Sequence, residues 1–224
     1  MNANTELPVT TYPALDPGRA VTDGWALMWQ NPGPAILYAL ACLAGLFLIN
    51  MIPVLGQIAG PLLMGPVTAG FLLAYRKQVL GSNVEFNDFL AGFQYFLPLM
   101  ITGLLVSIFT SIGFFLLILP GIYLVVAYQF AVAVVAYEKK DFWPAMESSR
   151  KLITANWFSY ALLALVIMVC NFIGVLLAGL GLIISLPLTM AMLASAYRQV
   201  IGWNAPGTAA DPQRHALESE PPQG

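Results

Sequence analysis

Three long stretches of this chain contain no Asp, Glu, Lys or Arg: residues 24–75, 89–137 and 152–197, of 52, 49 and 46 residues. A helical bilayer crossing takes about 20 consecutive apolar residues. Each stretch is too long for one crossing and long enough for two joined by a tight turn. Composition agrees, since 59% of the 224 residues are apolar and only 9% are charged, where a soluble domain carries about a quarter. A soluble enzyme and a disordered chain are both excluded. The fold class is all-α and integral to a membrane, with six transmembrane helices.

The crossings are expected in pairs: 34–52 with 59–75, 96–119 with 121–137, and 157–177 with 180–197. Pro53-Val54-Leu55-Gly56, Pro120-Gly121 and residues 178–181 are the expected turns, because Pro and Gly interrupt helices most readily. Second helices of about 17 residues would span only about 26 Å, which calls for little tilt or a locally thin bilayer.

The chain also repeats itself. Ala74-Tyr75-Arg76-Lys77, Ala136-Tyr137-Glu138-Lys139 and Ala196-Tyr197-Arg198-Gln199 each close one charge-free stretch, with tyrosines 62 and 60 residues apart. A period near 60 accommodates one amphipathic segment and two crossings. Three units follow, about 18–80, 81–140 and 141–202. Each opens with helical periodicity suited to lying in the interface. Val21, Trp25, Met28, Trp29 and Pro32 share a face in the first, and Phe86, Phe89, Leu90 and Phe93 in the second. In the third, Phe142, Ala145, Met146, Ser149, Leu152 and Ile153 share a face that excludes Glu147, Arg150 and Lys151, with Asp141 as N-cap.

All nine Lys and Arg residues lie in the tails or between hairpins, and none lies at a hairpin turn. The positive-inside rule then places both termini and the three amphipathic segments in the cytoplasm. Residues 1–17 and 203–224, rich in proline and each of net charge −2, are expected to be disordered cytoplasmic tails. The first long apolar run begins near Pro34 without a basic leader, so no cleaved signal peptide is expected. No basic tract suits nucleic acid. Cys42 and Cys170 sit inside apolar runs, where cysteine behaves as a small hydrophobe.

Several segments resemble bacterial multi-pass families. They are Gly113-Phe114-Phe115-Leu116-Leu117-Ile118-Leu119-Pro120-Gly121-Ile122-Tyr123-Leu124, then Glu138, Ala145-Met146-Glu147-Ser148-Ser149-Arg150-Lys151-Leu152 and Asn156-Trp157. Gly24-Trp25, Asn31-Pro32 and the turn from Ile52 to Gly56 extend the similarity to roughly residues 18–202. One such family is the membrane domain attached to some glycerophosphoryl diester phosphodiesterases; others are stand-alone inner-membrane proteins of unknown function. The resemblance implies a bacterial inner-membrane protein and carries over no catalytic residue, because the hydrolytic domain is absent from these residues.

Candidate chemistry within the membrane is sparse. Asn50, Ser111 and Asn171 lie near the outer ends of the first helices, and Tyr128-Gln129 takes the depth that Pro66 and Pro187 occupy in the other units. Asn50, Tyr128, Gln129 and Asn171 are the candidate polar site. Broken helices at mid-membrane can frame a substrate, but amides and hydroxyls there more often join neighbouring helices, at about 0.6 kcal/mol each. Gly65, Ala69 and Gly70 point to close packing. Arg76, Lys77, Lys139, Lys140, Arg150 and Lys151 are candidate contacts for lipid head groups, worth about 1 kcal/mol each at an anionic leaflet. Glu138, Asp141 and Glu147 offset them, Glu147 pairing with Lys151. No phosphate loop, metal-ligand spacing or nucleophile–base pair is present, so no cofactor is expected. The resulting expectation is a non-enzymatic accessory, scaffold or envelope-maintenance protein, whose partners are the bilayer, anionic lipids or another membrane protein. The alternative is a small transporter or channel for an apolar or zwitterionic solute.

Overall fold

The computed structural model of the chain describes residues 14–202 except Ala178, without the side chains of residues 53–55, 57 and 58. Of the tails expected over 1–17 and 203–224, residues 1–13 and 203–224 lie outside the described residues, whereas Leu15 is buried, Asp16 caps α1 and Pro17 begins it. Among those described, the chain forms ten α-helices and one 3-10 turn. They are α1 (Pro17–Gln30), α2 (Pro32–Asn50), α3 (Pro53–Val79), α4 (Phe86–Phe89), the 3-10 turn (Leu90–Tyr95), α5 (Phe96–Leu116), α6 (Ile118–Ala127), α7 (Ala131–Glu138), α8 (Phe142–Thr154), α9 (Trp157–Leu176) and α10 (Leu182–Ile201).

Four segments are long and apolar enough to cross a membrane: Pro32–Asn50, Phe86–Leu116, Ile118–Glu138 and Trp157–Leu176. Their exposed surfaces are of the kind lipid covers, with Phe158 84% and Phe115 91% exposed. Helices α3 and α10 stand outside this set for a physical reason. They are inner helices: α3 packs against α2, α4, α5, α7 and α10, and α10 against α1, α2, α3 and α9. Their surfaces face protein, so α10 carries Ser185, Pro187, Thr189 and Ser195 buried among small residues. Apolar length is demanded of helices that face lipid, not of those that face other helices.

The inner helices are also longer than the expected 17 residues. Helix α3 has 27 residues, about 40 Å, and α10 has 20. Both run as single helices through their prolines, Pro61 and Pro66 in α3 and Pro187 in α10. The turns differ as well. Pro53 is the first residue of α3 rather than part of a loop, a position where its missing N–H costs nothing. The second hairpin reverses at Leu117, which is extended at φ −161°, ψ 149°, and Pro120-Gly121 belongs to the first turns of α6. Gly121 serves the packing of α5 on α6, since a Cβ there would stand 2.5 Å from the Phe114 ring.

The three amphipathic segments follow one plan. Helix α1 packs on α10, α4 and the 3-10 turn pack on α3, and α8 packs on α7. A small residue makes each contact. A Cβ on Gly24 would stand 2.5 Å from the Met192 Cα, and one on Gly92 would strike the Pro66 carbonyl oxygen. Ser149 plays this part in α8, which buries the expected Ala145, Met146, Ser149, Leu152 and Ile153. Asp141 stands at its N-cap but makes no side-chain cap bond.

The face expected for α1 is corrected. It buries Ala20, Gly24, Leu27 and Met28, while Trp25 and Trp29 are 53% and 45% exposed, their rings 5.8 Å apart. A backbone-close crossing admits only small side chains, so the bulky indoles turn outward. The second segment is shorter than its periodicity implies, with α-helix only over Phe86–Phe89; Phe89 is buried, whereas Leu90 and Phe93 are exposed.

Candidate functional site

The four polar candidates are spread over three hairpins, and no two of them share a hydrogen bond. Asn50 donates to the Leu46 carbonyl one turn back at 2.8 Å and abuts Gly56, where a Cβ would lie 2.6 Å from its Oδ1. It seals the first hairpin tip. Asn171 joins α9 to α10: its Nδ2 donates to the Ile167 carbonyl at 3.0 Å and to Thr189 Oγ1 at 3.3 Å. Its Oδ1 accepts from Ser185 Oγ at 3.1 Å. The Asn171 amide thus joins two helices, whereas the Asn50 bond stays within α2.

Tyr128 and Gln129 lie in a break. Between α6 and α7, residues Tyr128 and Phe130 take φ, ψ near −99°, 8° and −100°, 0°, so the crossing Ile118–Glu138 is two helices rather than one. Ser149 of α8 fills the break. Its hydroxyl donates to the Ala127 carbonyl at 2.8 Å and accepts from the Phe130 N–H at 3.2 Å, all of it buried. Polar backbone at membrane depth is tolerated only when protein satisfies it, and Ser149 supplies both partners. Tyr128 packs on Phe109, ring centroids 6.4 Å apart. The Gln129 Oε1 is buried and has no hydrogen-bond partner among the described residues.

The tyrosines that mark the sequence repeat form a closed ring of hydrogen bonds that pattern alone did not disclose. Tyr75 of α3 donates to the Pro187 carbonyl of α10 at 2.9 Å. Tyr197 of α10 donates to Glu138 Oε1 of α7 at 2.6 Å. Tyr137 of α7 donates to the Leu72 carbonyl of α3 at 2.8 Å. Helices α3, α7 and α10 are thereby joined pairwise. Tyr38 of α2 packs edge-on against Phe71 of α3, and Tyr160 of α9 against Phe130 in the break before α7.

The basic candidates are largely occupied within the protein. Lys77 holds Asp88 at 2.8 Å, Lys140 holds Glu138 at 2.8 Å, and the Lys139 ammonium lies 3.4 Å from the Tyr95 ring centroid. The Arg76 guanidinium lies 5.5 Å from the Tyr137 ring centroid, with its Nε buried and unpartnered. Glu147 pairs chiefly with Arg150, at 2.8 and 2.7 Å, rather than with Lys151 at 3.8 Å; the planar guanidinium engages both carboxylate oxygens, which an ammonium cannot do. The Arg150 bonds hold the Glu147 carboxyl below its ordinary range, against a lesser opposing effect of burial. The same pairing raises Arg150 further.

A cavity of about 400 Å³ opens between α2, α3 and the segment 86–93, lined by Tyr38, Cys42, Gly45, Gly60, Met64 and Leu90 among others. Asn50, Tyr128, Gln129 and Asn171 do not line it. Cys42 and Cys170 are free thiols. Comparison with protein-family models, curated proteins and solved structures returned no match.

Proposed function

We propose that this chain is a non-enzymatic bacterial inner-membrane protein of six crossings in three repeated units, with both termini in the cytoplasm. It acts as an accessory, scaffold or envelope-maintenance factor by packing against lipids and other membrane proteins, in the manner of the stand-alone families it resembles. The observation that carries this reading is the use made of polar groups in the crossings. Asn50, Asn171, Ser149 and the tyrosine ring are bonded to backbone or to neighbouring helices, so they hold the bundle together. The large apolar surfaces of α2, α5 and α9 supply the lipid-facing shell.

Two experiments test it. In cells, a cysteine placed at Leu119, 79% exposed at a hairpin tip, is labelled only from the side opposite a cysteine placed at Lys140. Labelling of both from one side overturns the topology. Crosslinking in mild detergent captures a reproducible membrane partner, and a lone monomer with an efflux phenotype overturns the scaffold reading.

One observation favours a transporter instead: the unpartnered Gln129 oxygen beside a helix break. On that reading, liposomes containing the protein show solute flux that Gln129→Leu abolishes. No flux across a broad panel of apolar and zwitterionic solutes removes it.

A further inference from the structure

We propose that the cavity between α2, α3 and the segment 86–93 seats one acyl chain of a membrane phospholipid, a proposal that rests on the membrane reading above. The space is an open groove rather than a sealed void, since its lining residues Met64 and Leu90 are 58% and 42% exposed. Water does not fill it, because a stable buried water needs two or more polar partners and the lining offers almost none. The Tyr38 hydroxyl, the main polar group there, is directed to the Val67 carbonyl at 3.4 Å.

Two glycines keep the space open. Gly24, Gly65, Gly70 and Gly92 are each pressed against backbone of another segment. Gly45 of α2 and Gly60 of α3 are not: a Cβ at either would have no atom of the described residues within 4 Å. Glycine is among the poorest residues for a helix interior, and the fold gives no packing reason for these two. Both line the cavity, so the room they leave is taken by something outside the chain.

Dimensions identify the occupant. The α2 wall runs from Tyr38 to Ile49, which is about 16 Å at 1.5 Å per residue. That is close to half of a hydrocarbon core about 30 Å thick, the depth of one leaflet. A single extended hydrocarbon chain is far thinner than a helix some 10 Å across. The wall starts beside Phe86, Leu90 and Phe93, at the charged end of the bundle, where Lys77 is already bound to Asp88. The seat therefore selects the chain and not the charge of the head group.

The test uses the full protein in vesicles of phosphatidylethanolamine or phosphatidylglycerol whose acyl chains carry a photoreactive group, with adducts mapped by mass spectrometry after irradiation. Adducts concentrate on the cavity wall, at Cys42 and Met64, equally for both head groups. Gly45→Phe and Gly60→Leu fill the space and reduce those adducts by about tenfold or more. Gly33→Leu, at an equally open position of α2 outside the cavity, leaves them unchanged. Adducts spread evenly over α2, α5 and α9, or unaffected by the filling variants, overturn the proposal while leaving membrane insertion intact. A photoreactive amino acid placed at Met64 that crosslinks to a second copy of the chain in place of lipid also overturns it, in favour of a second copy. Absence of adducts anywhere, with release of the protein from membranes by alkaline carbonate, overturns the membrane reading itself.

Discussion

The Tyr75 hydroxyl donates to the Pro187 carbonyl at 2.9 Å, tying α3 to α10 across 112 positions of sequence in a fully buried setting. Tyr75→Phe removes this bond and keeps the ring. The expected loss is about 1 kcal/mol, read as a lower melting temperature in detergent. Tyr137→Phe, which cuts the bond to Leu72, costs a similar amount. If the ring acts as a unit, the double variant departs from additivity.

Gly65 and Gly45 separate two uses of glycine. A Cβ at Gly65 would collide with the Leu99 carbonyl oxygen, so Gly65→Ala forces α3 away from α5 at a cost of about 2 kcal/mol. Gly45→Ala meets no atom of the described residues and, in detergent, melts at or above the wild-type temperature, gaining up to about 1 kcal/mol of helix propensity. Thermal unfolding of the two side by side is the check.

Ser149→Ala leaves the Ala127 carbonyl and the Phe130 N–H buried without the partner both share. The expected cost is about 2 kcal/mol. Hydrogen exchange is expected to quicken first at residues 128–131, where the crossing is interrupted, rather than along α5.

The Glu147–Arg150 pair predicts a pH dependence of fixed sign. A carboxyl held below its ordinary value of 4.5 contributes its full stabilisation above that value and loses it as pH falls through the lower folded pKa. On acidification from about pH 6 to about pH 3, wild type loses more stability than Glu147→Gln. Both groups are partly exposed, so the effect is small and weakens in high salt.

Features with an unambiguous period or charge pattern were legible in the sequence. The α8 face was, because Glu147, Arg150 and Lys151 mark its back. The face of α1 was not. When both lipid and protein cover a helix, large apolar side chains fail to distinguish them, and Trp25 and Trp29 drew attention from the Ala20–Gly24 pair that marks the crossing. The roles of α3 and α10 as inner helices were hidden for a similar reason, since Pro, Ser and Thr within them read as candidate breaks or polar sites. Tyr128-Gln129 stood out at the right depth, but nothing local indicates that a hydroxyl arriving from residue 149 completes that backbone. The tyrosine spacing was visible, while its hydrogen bonds depend on carbonyls up to 112 positions away.

Helix α1 is docked on α10, with Gly24 against Met192 and the Asp16 N–H bonded to the Gln199 side chain at 3.3 Å. Helix α1 therefore waits for α10, which is made much later in the same chain. Until α10 is made, the Ala20–Met28 face has no seat, and a nascent chain halted short of residue 182 presents that face to lipid or to a chaperone. Docking of α1 is thus tied to the synthesis of α10, and loss of α10 releases α1 as well.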